Sequence, residues 1–515
     1  MSTPTAENRP TLWSTDVALP EHPPLSEPAR TDVCVVGAGI AGLTIADRLA
    51  AEGRRVIVID AAGAGAGQSG RTSAHLSAIL DDRFAALARA RSADVARIAY
   101  ESHRAAISLI EDIVRRESID CDFERVDGWL GAAADGDEGR RQIEEEFEAA
   151  RQAGVPVERQ RGVPWNPGAA VHALRFPDQA QFHPTRYLAG LARAAERKGV
   201  KIYGTTPATA VRGGRDAHVA TAQGHRIDAD AVVVATNNPI NDRVVIHTKQ
   251  APYTTYVIAL QVPTKSVPRV LFWDTADPYH YVRVQPMADG SERLIVGGED
   301  HKTGQESDKE SCWSRLEAWA RMQFPAAGAL THRWSGQVME TLDGLGFIGR
   351  NPMDDDNVYV VTGDSGMGLT HGTLAGILIP DLIAQRPSPW EAAYAPNRRP
   401  ARTLRTFLQE NLNVAAQLAQ WLKPETRRHV EQIARGEGAV LQQGVAKVAV
   451  YRDTEGELHV RSAVCPHLGC VVRWNRPERI WDCPCHGSRF DREGRVITGP
   501  STADLHEVDL QQPSA

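Results

Sequence analysis

The stretch Thr31-Asp-Val-Cys-Val-Val-Gly37-Ala-Gly39-Ile-Ala-Gly42 decides the fold of the first part of the chain. An apolar, β-branched run leads into a glycine turn, and a helix-forming stretch follows it. In such a turn Gly37 allows the sharp bend, Gly39 lets the backbone approach a pyrophosphate, and Gly42 lets the helix pack on the strand. The next apolar run ends in Asp60, where an acid binds ribose hydroxyls. The pattern predicts a βαβ unit that binds one dinucleotide.

A second glycine pattern with the same spacing, Gly344-Leu-Gly346-Phe-Ile-Gly349, lies in the wrong context. No buried strand precedes it, and Arg350-Asn-Pro352, which follows it, cannot open a helix because of the proline. We therefore expect a single dinucleotide site.

The 515 residues correspond to two to four domains, and a composition of 42% hydrophobic and 24% charged residues excludes a disordered or fibrous protein. The net charge of −7 argues against nucleic acid as a partner. No apolar run reaches the roughly 18–20 residues that cross a bilayer. Residues 1–29 lack the pattern of a secretory signal. We expect a partly ordered N-terminal arm, no membrane anchor and a cytoplasmic location.

Local patterns predict further elements along the chain. Helices are expected over about 81–118, from His183-Pro184 to about Lys198, over 309–323 and over 401–435. Residues 226–235 are expected to form a pair of strands, and 253–262 and 279–284 to belong to a second sheet. A buried strand at 357–361 runs through a glycine-rich loop into an apolar helix that ends near residue 384.

Four of the seven cysteines fall in two short motifs, Cys465-Pro-His467-Leu-Gly-Cys470 and Cys483-Pro-Cys485-His486. Two thiolates and two imidazoles on paired loops are the ligands of a Rieske [2Fe–2S] centre, in which cysteines hold one iron and histidines the other. A zinc site also uses two cysteines and two histidines, although two further cysteines would then be surplus.

Both motifs, together with Gly487-Ser488, resemble the Rieske proteins of cytochrome bc-type complexes. The resemblance implies the ligands Cys465, His467, Cys483 and His486, and a disulfide between Cys470 and Cys485. It also implies a hydrogen bond from Ser488 to a cluster sulfide. The relatives carry a tyrosine where this chain has Phe490. One hydrogen bond is then missing, so we expect a lower reduction potential than theirs.

Residues 30–385 resemble the D-amino-acid-oxidase-type (DAO) family of FAD-dependent oxidoreductases. The resemblance rests on the βαβ start, on Gly67-Gln-Ser-Gly70-Arg71, on the His183-Pro184 helix, and on Thr362-Gly363 with Gly366-x-Gly368. It implies FAD as the dinucleotide and amines or amino acids as donors. The FAD-binding residues implied by the resemblance and by the glycine turn are Gly37, Gly39, Gly42, Asp60, Gly67, Ser69, Gly70, Arg71, Thr72, Gly363, Gly366, Met367 and Gly368.

The expected fold is multidomain, α/β and α+β. A Rossmann-like FAD part covers about 30–80, 171–245 and 336–385, and a discontinuous β-sheet substrate part covers about 81–170 and 246–335. A linker and helical segment at 386–435 leads to a small all-β Rieske domain at 436–515. The whole arrangement resembles a bacterial family of DAO-type flavoproteins with a fused C-terminal Rieske domain.

Candidates for the substrate site come from the second sheet. Strand alternation points Tyr279, Tyr281 and Arg283 to one face and His280 to the other. Arg283 is a candidate carboxylate clamp, and Lys249 and His371 are candidates for the flavin edge. Tyr253 and Tyr256 are further lining candidates, and an aromatic stripe of this kind equally suits core packing. His75 is expected near the flavin as a packed or hydrogen-bonded residue.

The resulting functional hypothesis is an oxidoreductase that moves a hydride from the C–N bond of an amine or amino acid to FAD, with electrons leaving through the Rieske cluster. The acceptor is unidentified. Two alternatives stay open at this stage. One is an oxidase that uses oxygen and keeps the cluster for structure or regulation. The other is a redox relay or sensor without a small-molecule substrate of its own.

Overall fold

A computed structural model describes residues 10–133, 136–241, 246–305, 309–398, 412–414, 417, 430–444 and 446–510. Most of the predicted helical segment 401–435 falls outside these residues.

Among the described residues, α-helices and β-strands alternate up to about residue 180, strands dominate after residue 200, and short strands form the C-terminal region. The helices are α1 (Leu12–Asp16), α2 (Ile40–Ala51), α3 (Phe84–Ala90), α4 (Ala93–Glu117), α5 (Asp137–Gln152), α6 (Pro184–Arg197), α7 (Lys309–Gln323), α8 (Gly368–Ile383) and α9 (Glu391–Tyr394). The strands are β1 (Ala29–Val36), β2 (Val56–Ile59), β3 (His75–Leu76), β4 (Glu124–Gly131), β5 (Glu158–Arg161), β6 (His172–Gln181), β7 (Lys201–Tyr203), β8 (Ala208–Arg212), β9 (His218–Thr221), β10 (Arg226–Asn237), β11 (Gln250–Val262), β12 (Leu271–Asp274), β13 (His280–Pro286), β14 (Glu292–Lys302), β15 (Leu330–Thr341), β16 (Phe347–Arg350), β17 (Val358–Thr362), β18 (Glu437–Gln443), β19 (Ala446–Arg452), β20 (Leu458–Ser462), β21 (Arg473–Asn475), β22 (Ile480–Asp482), β23 (Arg489–Phe490) and β24 (Val496–Thr498).

The first sheet has the order β16-β17-β10-β1-β2-β7, with β9 and β8 added beside β10. Its central strands are parallel. Val33 and Val35 of β1 pack into one core, whereas Cys34 and Val36 pack into another on the opposite face. Burial on both faces is typical of a parallel sheet with covering layers, and it explains why β1 is an unbroken apolar run. This is the predicted Rossmann-like part.

The second sheet has nine strands in the order β15-β11-β14-β13-β12-β4-β6-β3, with β5 beside β6. One face packs toward the first sheet, and α7 covers part of the other face through Cys312, Trp313 and Leu316. The predicted boundaries of this part are too narrow. Strands β3 and β6 and the end of β15, which the sequence analysis assigned to the FAD part, belong to this sheet because they extend its hydrogen-bonded ladder.

The C-terminal region is all-β, as predicted. A three-stranded sheet, β18-β19-β20, packs with a four-stranded sheet, β21-β22-β23-β24. The loop between β20 and β21 carries the first cysteine motif, and the loop between β22 and β23 carries the second. Two motifs that lie 12 residues apart in sequence therefore face one another.

Two local predictions were wrong. The expected helix over 81–118 is two helices, α3 and α4, because Ser92 caps α4 by accepting a hydrogen bond of 3.2 Å from the Val95 backbone N–H. The expected strand pair over 226–235 is the single strand β10, which pairs with β1 along its length. The second glycine pattern forms a turn and the antiparallel strand β16, without a helix after it, as predicted.

Candidate functional site

A cavity of about 1090 Å³ lies between the two large sheets. Its volume exceeds the roughly 300–1,000 Å³ of an ordinary small-molecule site, which leaves room for a dinucleotide and a second, smaller molecule. One end is formed by the glycine turn after β1 and the loop at 65–73, and the other by side chains of the second sheet. The two ends differ in chemistry.

At the first end, Gly37 and Gly42 make close approaches that no other residue allows. Gly37 has φ +107°, and a Cβ there would lie 2.4 Å from the carbonyl oxygen of Ala235. A Cβ on Gly42 would lie 1.9 Å from the carbonyl oxygen of Gly37, so Gly42 permits α2 to start directly behind β1. Gly37 and Gly39 line the cavity, at the N-terminus of α2. Free backbone N–H groups and the helix dipole favour a phosphate at this position.

Asp60 and Ser69 stabilise the glycine turn and the loops beside it through hydrogen bonds. The Asp60 carboxylate accepts hydrogen bonds from the backbone N–H groups of Ala38, Ala62 and Gly63 at 2.8–2.9 Å. Ser69 Oγ accepts one of 3.0 Å from the Ile40 N–H at the start of α2. Burial raises the pKa of Asp60, and the three N–H groups oppose that shift. Asp60 lines the cavity, so its position suits the predicted ribose contact, and it also holds the glycine turn.

The predicted loop at Gly67–Thr72 lines the cavity along its whole length. Arg71 Nε donates 2.7 Å to the carbonyl oxygen of Ser335, and the guanidinium lies 3.7 Å from the Glu478 carboxylate. Trp334 Nε1 donates 2.9 Å to the carbonyl oxygen of Arg71. This loop is therefore fixed by the second sheet and by the C-terminal domain at once.

The late glycine loop places Gly366, Met367 and Gly368 on the cavity wall at the start of α8. Gly363 does not line the cavity. Its φ is +71°, and a Cβ there would lie 2.5 Å from Thr341 Cγ2, so this glycine is required by packing against β15.

The N-terminal segment is more ordered from residue 10 onward than predicted. From residue 10 onward it is folded across the loop at Gly67–Thr72. Trp13 is fully buried and donates 2.6 Å to the carbonyl oxygen of Thr72, and Thr11 Oγ1 donates 3.2 Å to that of Gly70. Thr11 and Ser14 form a capping box, a sequence signal that could have predicted the short helix.

The four predicted cluster ligands come together on two loops. The rings of His467 and His486 have centroids 5.1 Å apart, and the thiols of Cys465 and Cys483 lie within hydrogen-bonding reach of each other. A disulfide joins Cys470 to Cys485 and ties the two loops. Burial lowers the pKa of His486 to about 4, which keeps its imidazole in the neutral form that binds metal.

The cluster loops face the flavin-binding part of the same chain. The Asn238 side chain donates a hydrogen bond of 2.5 Å to the carbonyl oxygen of His486, and Gln337 Nε2 donates one of 2.9 Å to that of Gly487. The His247 ring lies 4.9 Å from the His467 ring and 5.3 Å from the His486 ring. The segment 496–504 also reaches the cavity wall. No motif or periodicity in the sequence predicts any of these contacts.

At the second end of the cavity, Tyr279 and Tyr281 line the wall, as predicted. His280 points to the other face, where its ring stacks on Trp319 at 4.2 Å, so the alternation was read correctly. Tyr253 and Tyr256 do not line the cavity. Tyr256 is buried against Trp313 in the core beneath the sheet.

Arg283 and Lys249 were predicted near the flavin, and neither lines the cavity. Arg283 points to the same face as Tyr281, but it is buried and donates to the carbonyl oxygens of Ala74 and Phe182 and to Gln285. Lys249 donates 2.8 Å to the carbonyl oxygen of Pro396. Both cations donate hydrogen bonds to backbone carbonyl oxygens outside the cavity. The expected carboxylate clamp is therefore not present in the cavity.

Two predicted histidines do line the cavity. His75 makes hydrogen bonds with Ser73 Oγ at 3.0 Å and with the carbonyl oxygen of Val282 at 3.3 Å. His371 packs against Gly346. Burial lowers the pKa of each to about 3, so both rings are neutral at physiological pH.

Besides the exposed Asp504, three carboxylates on the cavity wall were missed. Asp81 follows the strand β3, Asp300 lies on β14, and Asp364 lies in the late glycine loop. Burial raises the pKa of Asp81 and of Asp300 to about 7 and that of Asp364 to about 6. Asp81 and Asp364 flank recognised motifs, but nothing in the sequence indicates that they meet Asp300.

Comparison with known proteins decides the family. Residues 32–382 match the family model described as FAD dependent oxidoreductase, and residues 425–509 match that of the Rieske [2Fe-2S] domain. The chain belongs to the DAO family of FAD-dependent oxidoreductases. It is an FAD-dependent oxidoreductase with a fused C-terminal Rieske domain, and its cofactors are FAD and a [2Fe–2S] cluster.

Individual relatives agree with this assignment. The protein YhfW of Bacillus subtilis (strain 168), whose name describes it as a Rieske 2Fe-2S iron-sulfur protein, is 31% identical over 502 residues, which are 97% of each chain. Gamma-glutamylputrescine oxidoreductase of Escherichia coli (strain K12) is 27% identical over 70% of this chain and 85% of its own. Glycine oxidase from Geobacillus kaustophilus shares the fold, with a TM-score of 0.62, 21% identity, and coverage of 72% of this chain and 99% of its own.

The residues of this oxidoreductase fit both cofactors. A Cβ at Gly37 or Gly42 would collide with the backbone of Ala235 or of Gly37, so both glycines are needed for the tight turn that brings the N-terminus of α2 to the cavity, where a pyrophosphate fits. The two thiols and two imidazoles at the C-terminal loops are the donor set of a Rieske cluster.

No helix among the described ranges is both long and apolar enough to cross a membrane.

Proposed function

We propose that this protein oxidises the C–N bond of an amine or amino acid by hydride transfer to FAD, and that the electrons leave one at a time through the Rieske cluster to a separate acceptor. The observation that carries the proposal is the contact between the two cofactor regions. Gln337 lines the FAD cavity, and its side chain is hydrogen-bonded to Gly487, the residue after the proposed ligand His486.

When bound, FAD supplies a two-electron acceptor and the cluster a one-electron carrier, so the chain holds the groups needed for both steps. The protein's own residues position these groups. Gly37, Gly39 and the N-terminus of α2 receive the pyrophosphate, and Asp60 receives the ribose. The N-terminus of α8, at Gly368, directs a positive dipole end into the cavity.

The second sheet and the loops around it form the donor site. Tyr279, Tyr281 and Trp273 supply apolar surface on the wall. Such a wall holds the donor in one orientation, which is the main contribution that amine oxidation requires from the protein. The E. coli relative, named as a gamma-glutamylputrescine oxidoreductase, supports an amine donor.

The C-terminal domain positions the proposed ligands Cys465, His467, Cys483 and His486. Its docking surface includes a buried carboxylate, since Glu478 is 1% exposed and accepts 2.8 Å from Ser335 Oγ. Buried polar contacts of this kind fix one orientation of the two parts, because a misplaced partner would leave a charged group unpaired. This supports electron transfer within one chain.

The proposal is tested by low-temperature EPR of the anaerobic holoprotein, with flavin absorbance recorded on the same sample. A mixed pool of amines and amino acids should bleach the flavin and generate the signal of a reduced Rieske cluster. His467→Ala should remove that signal and abolish turnover with one-electron acceptors, while His459→Ala, a Rieske-domain histidine that pairs with Asp453, should leave both intact.

Two other outcomes would refute the proposal. Flavin bleaching with stoichiometric peroxide in air and an oxidised cluster would instead identify an oxidase. If no member of the pool bleaches the flavin although dithionite reduces both centres, the protein is a relay that receives its electrons from a partner.

A further inference from the structure

The second end of the cavity is both acidic and aromatic. Tyr279 Oη donates a hydrogen bond of 3.1 Å to Asp81 Oδ2, and Tyr281 Oη lies 2.9 Å from Thr255 Oγ1. The Tyr279 and Tyr281 rings have centroids 5.6 Å apart. The Thr255 hydroxyl is also within hydrogen-bonding reach of the Asp300 carboxylate. Two carboxylates and two phenols thus share one wall.

Neither carboxylate has a cationic partner among the described residues. Asp300 Oδ1 is enclosed and accepts no hydrogen bond from any described group. The surroundings of Asp81 add further negative groups, namely Asp82, Asp300 and Asp364. A buried carboxylate without a counter-ion is costly, and a cationic ligand would remove that cost. The aromatic rings beside these carboxylates attract cations as well.

A carboxylate on the ligand would find no arginine or lysine side chain at this end among the described residues. Arg71 is the single arginine among the described residues that line the cavity, and lysine does not occur there. The Arg71 guanidinium is held by the Ser335 carbonyl oxygen and Glu478. The carboxylate of an α-amino acid would therefore face Asp81 and Asp300, and like charges at close range oppose binding.

We propose that the donor bound here is a cationic aliphatic amine without a carboxylate on its reacting carbon, and that Asp81 and Asp300 hold its ammonium group. The inference rests on the proposed function, whose donor class it narrows from amines and amino acids to amines. The carboxylates act as binding residues, with the ammonium group donating to Asp300 and to Asp81, both of which line the cavity.

The test uses two probes that cannot be oxidised, because the carbon that bears their nitrogen has no hydrogen. They are 2-methylhexan-2-amine and 2-amino-2-methylhexanoate. The carbon that bears the nitrogen has a second methyl group in the amine and a carboxylate in the amino acid. Binding to the oxidised holoprotein is measured by calorimetry and by the change in flavin absorbance. The amine should bind at least tenfold more tightly than the amino acid, because both probes carry the same ammonium group and only the amino acid brings a carboxylate close to Asp81 and Asp300.

Variants then assign the effect to residues. Asp81→Asn and Asp300→Asn should each weaken binding of the amine about tenfold, and Asp112→Asn, on the exposed face of α4, should not change it. FAD content verifies that each variant is folded. Equal or tighter binding of the amino acid, no binding of either probe, or unchanged amine affinity in both Asn variants would each overturn the inference.

These results are independent of turnover. If the amine probe binds more tightly than the amino acid probe but no amine bleaches the flavin, the proposed reaction is wrong. The site that binds the ammonium group is then still supported. If amino acids reduce the flavin and the amine probe does not bind, the proposed reaction is supported. The inference that the donor is an amine without a carboxylate is then wrong.

Discussion

Gln337 Nε2 donates a hydrogen bond of 2.9 Å to the carbonyl oxygen of Gly487. Gln337 belongs to β15 and lines the FAD cavity, whereas Gly487 belongs to the loop that carries two proposed cluster ligands. A Cβ on Gly487 would lie 2.7 Å from Gln337 Nε2 and 2.6 Å from Pro252 Cβ, so the two parts of the protein touch at this point. One contact therefore joins the two cofactor sites.

Replacing Gln337 should slow electron transfer between the cofactors. Gln337→Leu removes the bond to Gly487, which is worth about 1 kcal/mol, and lowers the equilibrium constant between the docked and undocked arrangements roughly fivefold. Stopped-flow absorbance should show slower cluster reduction after flavin bleaching, with an unchanged EPR spectrum. Gln223→Leu removes an exposed glutamine that donates to the Thr205 carbonyl oxygen, and it serves as the control. An unchanged rate in Gln337→Leu would show that this contact does not support the route.

The buried charge at Glu478 should stabilise the assembly of the two parts. Glu478→Gln leaves the Arg71 guanidinium, which is 8% exposed, without its anion. Removing one partner of a buried ion pair costs about 3–5 kcal/mol. We expect a clearly lower midpoint in thermal unfolding. Ser335→Ala, which removes a single neutral donor to Glu478, should cost about 1 kcal/mol. A loss of stability in Glu478→Gln no greater than in Ser335→Ala would contradict this prediction.

Phe490→Tyr should raise the reduction potential of the cluster. Phe490 is fully buried in the core around the cysteine loops, where the resembling respiratory proteins carry a tyrosine. An added hydrogen bond of about 0.5–1.5 kcal/mol to the cluster corresponds to roughly 20–60 mV for one electron. An EPR-monitored redox titration measures the shift. Trp481→Phe, which removes a hydrogen bond to the Arg492 carbonyl oxygen, is the control for altered packing. A potential that stays constant in Phe490→Tyr refutes the assignment of Phe490 as the missing donor.

Glu146, on α5, should make the stability of the protein depend on pH. Its carboxylate is 1% exposed and accepts hydrogen bonds from the Phe84 and Ala85 N–H groups, and burial raises its pKa to about 7. Because the folded-state pKa lies above the ordinary value of 4.5, the folded form is favoured while the group is protonated, and this stability is lost as the pH rises from about 4.5 to 7. The loss amounts to about 3 kcal/mol.

The corresponding measurement compares wild type with Glu146→Gln. Thermal unfolding recorded from pH 4.5 to 8 should show that the midpoint of the wild type falls relative to that of the variant as the pH rises. The exposed change Glu138→Gln, on the same helix, should leave the wild-type profile in place. Parallel profiles for wild type and Glu146→Gln would show that this carboxylate is ionised throughout the range.

Much of the site was predictable because the chemistry depends on local spacing. The glycine turn, the loop at 67–72 and the two cysteine motifs are each short, and their residue types are needed at fixed distances along the chain. The failures concern side chains whose partners come from far away. Arg283 points to the predicted face, yet it is bound by carbonyl oxygens of residues 74 and 182. Strand alternation predicts the face of the sheet to which a side chain points, but not the groups that the side chain contacts on that face.

The sequence by itself determined the two cofactors and the families of the two domains, since Gly37–Gly42 and the motifs at 465–470 and 483–486 are local patterns that each suit one chemistry. Only the tertiary structure decided what lies between them. It placed Gln337 against Gly487, His247 against both proposed histidine ligands, and Asp81 beside Asp300 on the donor wall. These contacts join strands and loops that are distant in sequence, and they exist because the sheets and the C-terminal domain pack together, which no periodicity along the chain records.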